Sequence, residues 1–344
     1  MKEAVFLQEV KEIQLLKNAL TLLDWDSSTG MPEKSSPFRG EVEGYLTGLY
    51  FERSIGPVIQ EALAYFETRP EELSELGKLV FEKVKEEYAL NKNVPAERMQ
   101  EYVKVLNQAH TDWLKARAAQ DFGLLEETLT KVVAFQKEFI PYWQKEEKTP
   151  YDVLLNQFEP GMTVEKLDQV FDQVKQGIQE IRTVLAEKGT PPRTDFLSRK
   201  MTKEQQRRFV IGVVEQLGYD FSKGRLDDTV HPFMTALNRN DARITTRWEE
   251  NNFSMATFGV IHEAGHGMYE QNFDPKFDFT PLSEGASMGI HESQSLFNEI
   301  IIGSNRAFWQ KQYPFFQECA EGTFDDIAFE DFYASLKETK ASLI

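Results

Sequence analysis

The five residues His262-Glu263-Ala264-Gly265-His266 constrain the local backbone more than any other stretch of the chain. On a helix, residues four apart lie one above the other, so both imidazoles project from one side. Two neutral ring nitrogens at that spacing suit a zinc ion. Glu263 follows the first histidine and can take a proton from water at an open coordination position. The competing reading is a pair of hydrogen-bonded core histidines. The chain has five histidines in all, and two of them flanking a glutamate at i and i+4 favours the metal.

Most of the remaining sequence carries the period of a helix. Phe6, Val10, Ile13, Leu16, Leu20 and Leu23 step by three or four, which predicts a long opening helix. Thr163 can cap a second, with Leu167, Val170, Val174, Ile178, Ile181 and Leu185 as its apolar stripe, stopped by Gly189, Pro191 and Pro192. Thr202 and Gln205 resemble a capping box for a helix that runs to Leu217 before Gly218. Helix also covers Asn252 to Gln271, and again roughly Glu284 to Ile302, closed by Gly303. Turn-rich breaks fall at Ser27–Ser36 and Glu159–Met162. The expected fold class is mostly α. No linker is evident, so 1–344 reads as a single domain, with a helical part over 1–220 and a metal-site part over 221–344.

The exception is Asp227 to Trp248. Val230–Thr235 and Ala242–Trp248, separated by Asn238-Arg239-Asn240, predict a small antiparallel hairpin. Alternation puts Arg243, Thr245 and Arg247 on one face and Ala242, Ile244 and Thr246 on the other. Two readings of that charged face stand open: a solvated edge strand protected by its arginines, or side chains turned toward a site.

Composition narrows the partners. Lys plus Arg number 39 against 56 acidic residues, a net charge of −17. Such a field repels duplex nucleic acid and anionic membranes. No run approaches the roughly 18 apolar residues of a membrane span, and the first residues build no signal-peptide core. Cys319 is the single cysteine, so no disulfide forms within the chain, and a reducing, cytoplasmic compartment is expected.

A catalytic zinc takes three protein ligands and one open position. The spacing H-x-x-G-x-x-H beyond His262-Glu263 is absent, since Tyr269 and Asn272 stand where the glycine and third histidine would be. Glu292, 26 positions after His266, sits on the next predicted helix. His291 and Glu284 compete with it, and spacing does not choose. Glu299 falls seven residues beyond Glu292 on the same face, as a surface carboxylate or as support for the site. Tyr269 and Glu270 share the face of His262 and Glu263. His231, before Pro232, is a further candidate donor, whereas His110 reads as structural.

These residues resemble the carboxypeptidase Taq family, the M32 metallocarboxypeptidases, across essentially the whole chain. Leu22-Leu23-Asp24-Trp25-Asp26 with Met31-Pro32, and Tyr151-Asp152 with Glu159-Pro160-Gly161-Met162-Thr163, resemble its less specific signatures. The specific ones are His231-Pro232-Phe233, Asp241-x-Arg243-x-Thr245, H-E-x-x-H, and His291-Glu292-Ser293-Gln294. The resemblance implies a helical metallopeptidase with a long substrate groove, the metal-bearing helix beside a second ligand-bearing helix, and a homodimer. It carries the ligand role onto His262, His266 and Glu292 and the general-base role onto Glu263. It implies zinc, replaceable by cobalt, and removal of C-terminal residues from peptides with broad specificity. Apart from the resemblance, His231, Asp241, Arg243, Thr245, Tyr269, His291 and Glu299 stand as candidates to touch substrate or to support the ligands. Two family motifs, I/V-R-x-x-A-D and G-x-x-Q-D-x-H-W, are not found, and Ser342-Leu343-Ile344 stands where the first would begin. The alternatives are therefore a truncated, metal-binding but inactive chain, or a zinc endopeptidase of the same architecture.

Overall fold

The computed structural model describes residues 1–339. The segment Ser342-Leu343-Ile344, with the expectation attached to it, lies outside the described residues. The chain divides into two compact units: Met1–Gly161 with Asp274–Glu284, and Met162–Phe273 with Gly285 onward.

The first unit is helical, from α1 (Glu3–Thr29) through α2 (Ser36–Ser54), α3 (Pro57–Phe66), α4 (Glu75–Asn91), α5 (Ala96–Ala119) and α6 (Gly123–Trp143) to α7 (Pro150–Phe158). The opening stripe buries Phe6, Val10 and Ile13 against Ile59, Phe66 and Phe81. A second aromatic cluster forms around Phe135, Phe139 and Trp143. Burying such side chains contributes about 1.5–3 kcal/mol each.

The second unit carries α8 (Val164–Lys188) and α9 (Lys203–Leu217), then β1 (Leu226–Asp228), β2 (Met234–Asn238) and β3 (Asp241–Thr246). Helices α10 (Phe253–Gln271) and α11 (Met288–Leu296) follow, then a π-helical turn (Phe297–Ile302), α12 (Arg306–Cys319) and α13 (Phe329–Ser335). Its core gathers Phe209, Phe253, Trp309, Phe316, Phe324 and Phe332. The capping box at Thr202 and Gln205 forms, and Gly218 ends α9 at φ 112°, a backbone that favours glycine. Thr163 caps α8 as its spacing predicts, accepting from the Lys166 amide. The stripe of α8 does not meet a core: Val170, Val174, Ile178, Ile181 and Leu185 are each at least half exposed.

The strand region differs from expectation in two ways. Strand β2 runs Met234–Asn238, its start held back because Pro232 has no amide hydrogen to offer a ladder, and β3 runs Asp241–Thr246, one residue earlier at its start and two shorter at its end than expected. More important, β3 is not an edge. The order is β1-β3-β2, with β1 parallel to β3 in the register Leu226↔Ile244 and β2 antiparallel to it in the register Met234↔Ile244. A three-residue strand such as β1 is too short to show alternation, and it covers the flank that the sequence left open. The solvated-edge reading of Arg243 therefore falls. Ala242, Ile244 and Thr246 are buried, and Thr245 on the opposite face is buried too.

The second ligand-bearing helix is also shorter than its pattern suggests. Ser287 caps it by accepting from the Ile290 amide, so α11 begins at Met288 and Glu284 is not helical.

Candidate metal centre

Helix α10 packs against β3, α9 and α11. Two glycines make that packing possible. A Cβ on Gly265 would stand 2.7 Å from Ser295 Cα and 2.8 Å from the Gln294 carbonyl, so the missing side chain lets α11 lie directly on α10. A Cβ on Gly267 would meet the Tyr219 ring at 2.6 Å. That ring is fixed where it stands, because its hydroxyl donates to the Ala242 carbonyl at 2.6 Å. The sheet and α11 thus grip α10 on either side of His266.

The grip brings three donors together. His262, His266 and Glu292 each offer one ligand atom, and these atoms lie within 4.8 Å of one another. Glu292 Oε2 is 3.6 Å from His262 Nε2 and 3.3 Å from His266 Nε2. Zinc–nitrogen bonds of about 2.0–2.1 Å imply tetrahedral edges of about 3.3–3.4 Å. Both separations are close to such an edge, so the donor set fits a small divalent cation. Of the three carboxylate and imidazole groups competing for the third place, only Glu292 joins the two histidines. Glu284 pairs with Lys17. His291 pairs with buried Glu270, Nε2 to Oε1 at 2.9 Å.

The surroundings tune these groups. Burial pushes His266 down to about 4, with the His291 and His262 charges adding to it. His266 is therefore neutral at ordinary pH, the state that ligation requires. The hydrogen bond that His262 donates to Glu299 draws its imidazole above the usual value against its burial. Glu263 is 7% exposed. Burial pushes its carboxyl up to about 7, although the nearby His262 charge pulls the other way. A carboxyl in that range both accepts and returns protons near neutral pH.

Each remaining candidate has a defined place. His291 stacks on His266 with centroids 4.4 Å apart, and Tyr269 meets the His291 ring edge-on at 5.5 Å. A Cβ on Gly285 would collide with His291 at 2.6 Å, so that glycine makes room for the ring. Arg243 grips Asp241 with two parallel bonds of 2.8 Å. Thr245 Oγ1 accepts from the Phe233 amide and donates to the Phe233 carbonyl, both at 2.8 Å. It thereby pins the loop of His231, whose own side chain is exposed. His110 is far along α5 beside Trp113. Ser295, absent from the sequence candidates, is buried, and its hydroxyl lies 2.6 Å from the Glu292 carbonyl and 3.1 Å from Glu292 Oε2, either of which can accept its hydrogen. Its position three residues after Glu292 on one helix face was the available signal.

Two imidazoles, a carboxylate from a second helix and a buried glutamate beside the first histidine together form a candidate metal centre. The chain belongs to the carboxypeptidase Taq (M32) metallopeptidase family, whose model matches residues 5–344. It is 42% identical to carboxypeptidase 1 of Bacillus subtilis over 99% of this chain and 68% of that protein. It is 32% identical to thermostable carboxypeptidase 1 of Thermus thermophilus, over 97% of this chain and 67% of that one. Among solved structures, the M32 carboxypeptidase of Deinococcus radiodurans superposes with a TM-score of 0.87 at 32% identity, covering 96% of this chain and 66% of that one. Family membership implies a divalent metal, and the mostly helical fold agrees with that of the solved M32 carboxypeptidase. Among the described residues, no helix is long and apolar enough to cross a membrane.

Proposed function

We propose that this chain is a zinc-dependent carboxypeptidase that removes C-terminal residues from peptides with broad specificity. One observation carries the proposal: the triangle of His262, His266 and Glu292 donors beside the buried Glu263. In this reading the three residues hold the metal, with cobalt as a workable substitute. When bound, the metal supplies Lewis acidity, polarising the scissile carbonyl and acidifying water. Glu263 takes the proton from the attacking water at its carboxylate and returns it to the leaving amine nitrogen. Its burial excludes bulk water that would otherwise compete for that proton. Ser295 steadies the Glu292 carboxylate, and the Glu270–His291 pair backs the His266 ring. Thr245 holds the His231–Phe233 loop, and Asp241 and Arg243 brace the sheet behind α10. His231, whose side chain is exposed, and Tyr269, beside His291, are the groups assigned to meet the peptide. A homodimer in the cytoplasm completes the reading, supported by the family resemblance and by the single cysteine.

The test is mass spectrometry of a free-acid peptide incubated with the zinc-loaded protein, with and without a chelator. A chelator-sensitive ladder shortened from the C-terminus is expected, with the C-terminally amidated peptide left intact. Cleavage of the amidated peptide would make the protein an endopeptidase. Bound zinc without any cleavage would leave a metal-binding chain that does not catalyse.

A further inference from the structure

We propose that Glu299 is the positioning residue that fixes His262 in its ligand tautomer, and that the π-helical turn Phe297–Ile302 serves to aim it. This rests on the reading of His262, His266 and Glu292 as the metal-binding set. Glu299 Oε2 lies 2.7 Å from His262 Nδ1, the length of a charge-assisted hydrogen bond. An ionised carboxylate offers lone pairs and no hydrogen, so Nδ1 must be the donor. A neutral ring protonated at Nδ1 carries its free lone pair at Nε2. That is the nitrogen facing Glu292 at 3.6 Å. The opposite tautomer would put a hydrogen where the metal must sit.

His266 is held differently. Its ring is stacked on His291, whose far nitrogen is bonded to buried Glu270. One imidazole is thus oriented by a direct carboxylate hydrogen bond and the other by packing. Only the first depends on a single side chain.

The backbone around Glu299 is unusual in the way this role requires. The Gly303 amide donates to the Asn298 carbonyl, five residues back, at 2.8 Å. A single π turn widens the helix and re-aims the side chains within it, and such turns concentrate at functional sites. A Cβ on Gly303 would stand 2.6 Å from the Glu299 carbonyl oxygen, so the turn closes in a form that glycine permits. Burial does not account for the turn. Phe297, Ile300 and Ile301 are 52%, 50% and 61% exposed, while Glu299, the polar member, turns inward to His262.

The experiment compares parent, Glu299→Gln and Glu299→Ala by chelator-competition zinc titration, with the His262 tautomer read by nitrogen-15 NMR on the metal-free proteins. The parent should show hydrogen on Nδ1. Glu299→Ala should lose that preference and bind zinc about 10–100-fold more weakly. Glu299→Gln, whose amide oxygen still accepts from Nδ1, should keep the tautomer and lose less affinity. A parent with hydrogen on Nε2, or folded variants that bind zinc as the parent does, would overturn the proposal. If the parent itself binds no zinc, the metal reading fails, and the NMR arm still decides whether Glu299 sets the tautomer. If Glu299→Ala does not fold, the parent and the glutamine variant decide alone.

Discussion

Glu263 is the residue whose surroundings and chemistry are most tightly linked. It is sealed against α10's neighbours yet contributes no donor atom to the metal triangle. Glu263→Gln keeps the shape and removes the base, so zinc affinity should stay within a few-fold of the parent. Peptide hydrolysis should fall by about 10²–10⁴-fold. Equal losses in binding and turnover would show that Glu263 acts through the metal set. A second residue-scale consequence concerns Glu87, whose pKa burial raises while the Lys17 charge opposes the shift. A raised pKa in the fold means the protonated form is favoured there, with stability complete below the usual glutamate value and lost as pH rises through the shifted one. Glu87→Gln should therefore raise the melting temperature at pH 7, with the gain fading below pH 4, as calorimetry across that range would show. At this scale the paired histidines and their glutamate were legible, because i and i+4 fix a face whatever the rest of the chain does. The third ligand was not, since its choice from Glu284, His291 and Glu292 depends on where α11 begins. Glu299 was visible only as a position, because a turn of non-standard width aims it.

The elements meet at close range, and the closest approach is the most fragile. Gly265→Ala would force a methyl into the backbone of α11 at Ser295 and Gln294, and backbone cannot swing aside as a side chain can. A cost of about 1–3 kcal/mol follows from overpacking of this kind. Denaturant unfolding should show it, with weakened zinc binding because Glu292 moves with α11. Thr245→Val keeps the volume and removes both hydroxyl bonds to Phe233. The Phe233 carbonyl keeps its bond from the Thr245 amide at 3.0 Å, so the loss falls on the Phe233 amide, at about 1–3 kcal/mol if it stays dry. The peptide KM should change more than kcat if the His231 loop contacts substrate. The hairpin's existence was readable from its alternating residues, whereas the central place of β3 was not, because β1 is three residues long and pairs in parallel from outside the predicted hairpin. Likewise Ser287, not the apolar pattern, sets the start of α11.

Across the whole molecule, two compact units use the same helical grammar in different ways. The first half of the stripe on α1, at Phe6, Val10 and Ile13, is core, whereas the stripe on α8 is exposed from Val170 onward. Periodicity reports which face of a helix is apolar and says nothing of what lies opposite, so the two were indistinguishable beforehand. Ile181 is 61% exposed. Ile181→Lys should shift the unfolding free energy by no more than about 0.5 kcal/mol. A loss of several kcal/mol would mean that the α8 face is covered in solution. The same unit supplies a different kind of handle. Cys319, the single thiol, is fully buried, and the Arg208 guanidinium donates to its sulfur at 3.3 Å. A thiol reagent reaches it only when the aromatic core around Phe316 and Trp309 opens. The protein thus contains its own stopwatch: the labelling half-time of native material records how often that core opens, without any engineered probe.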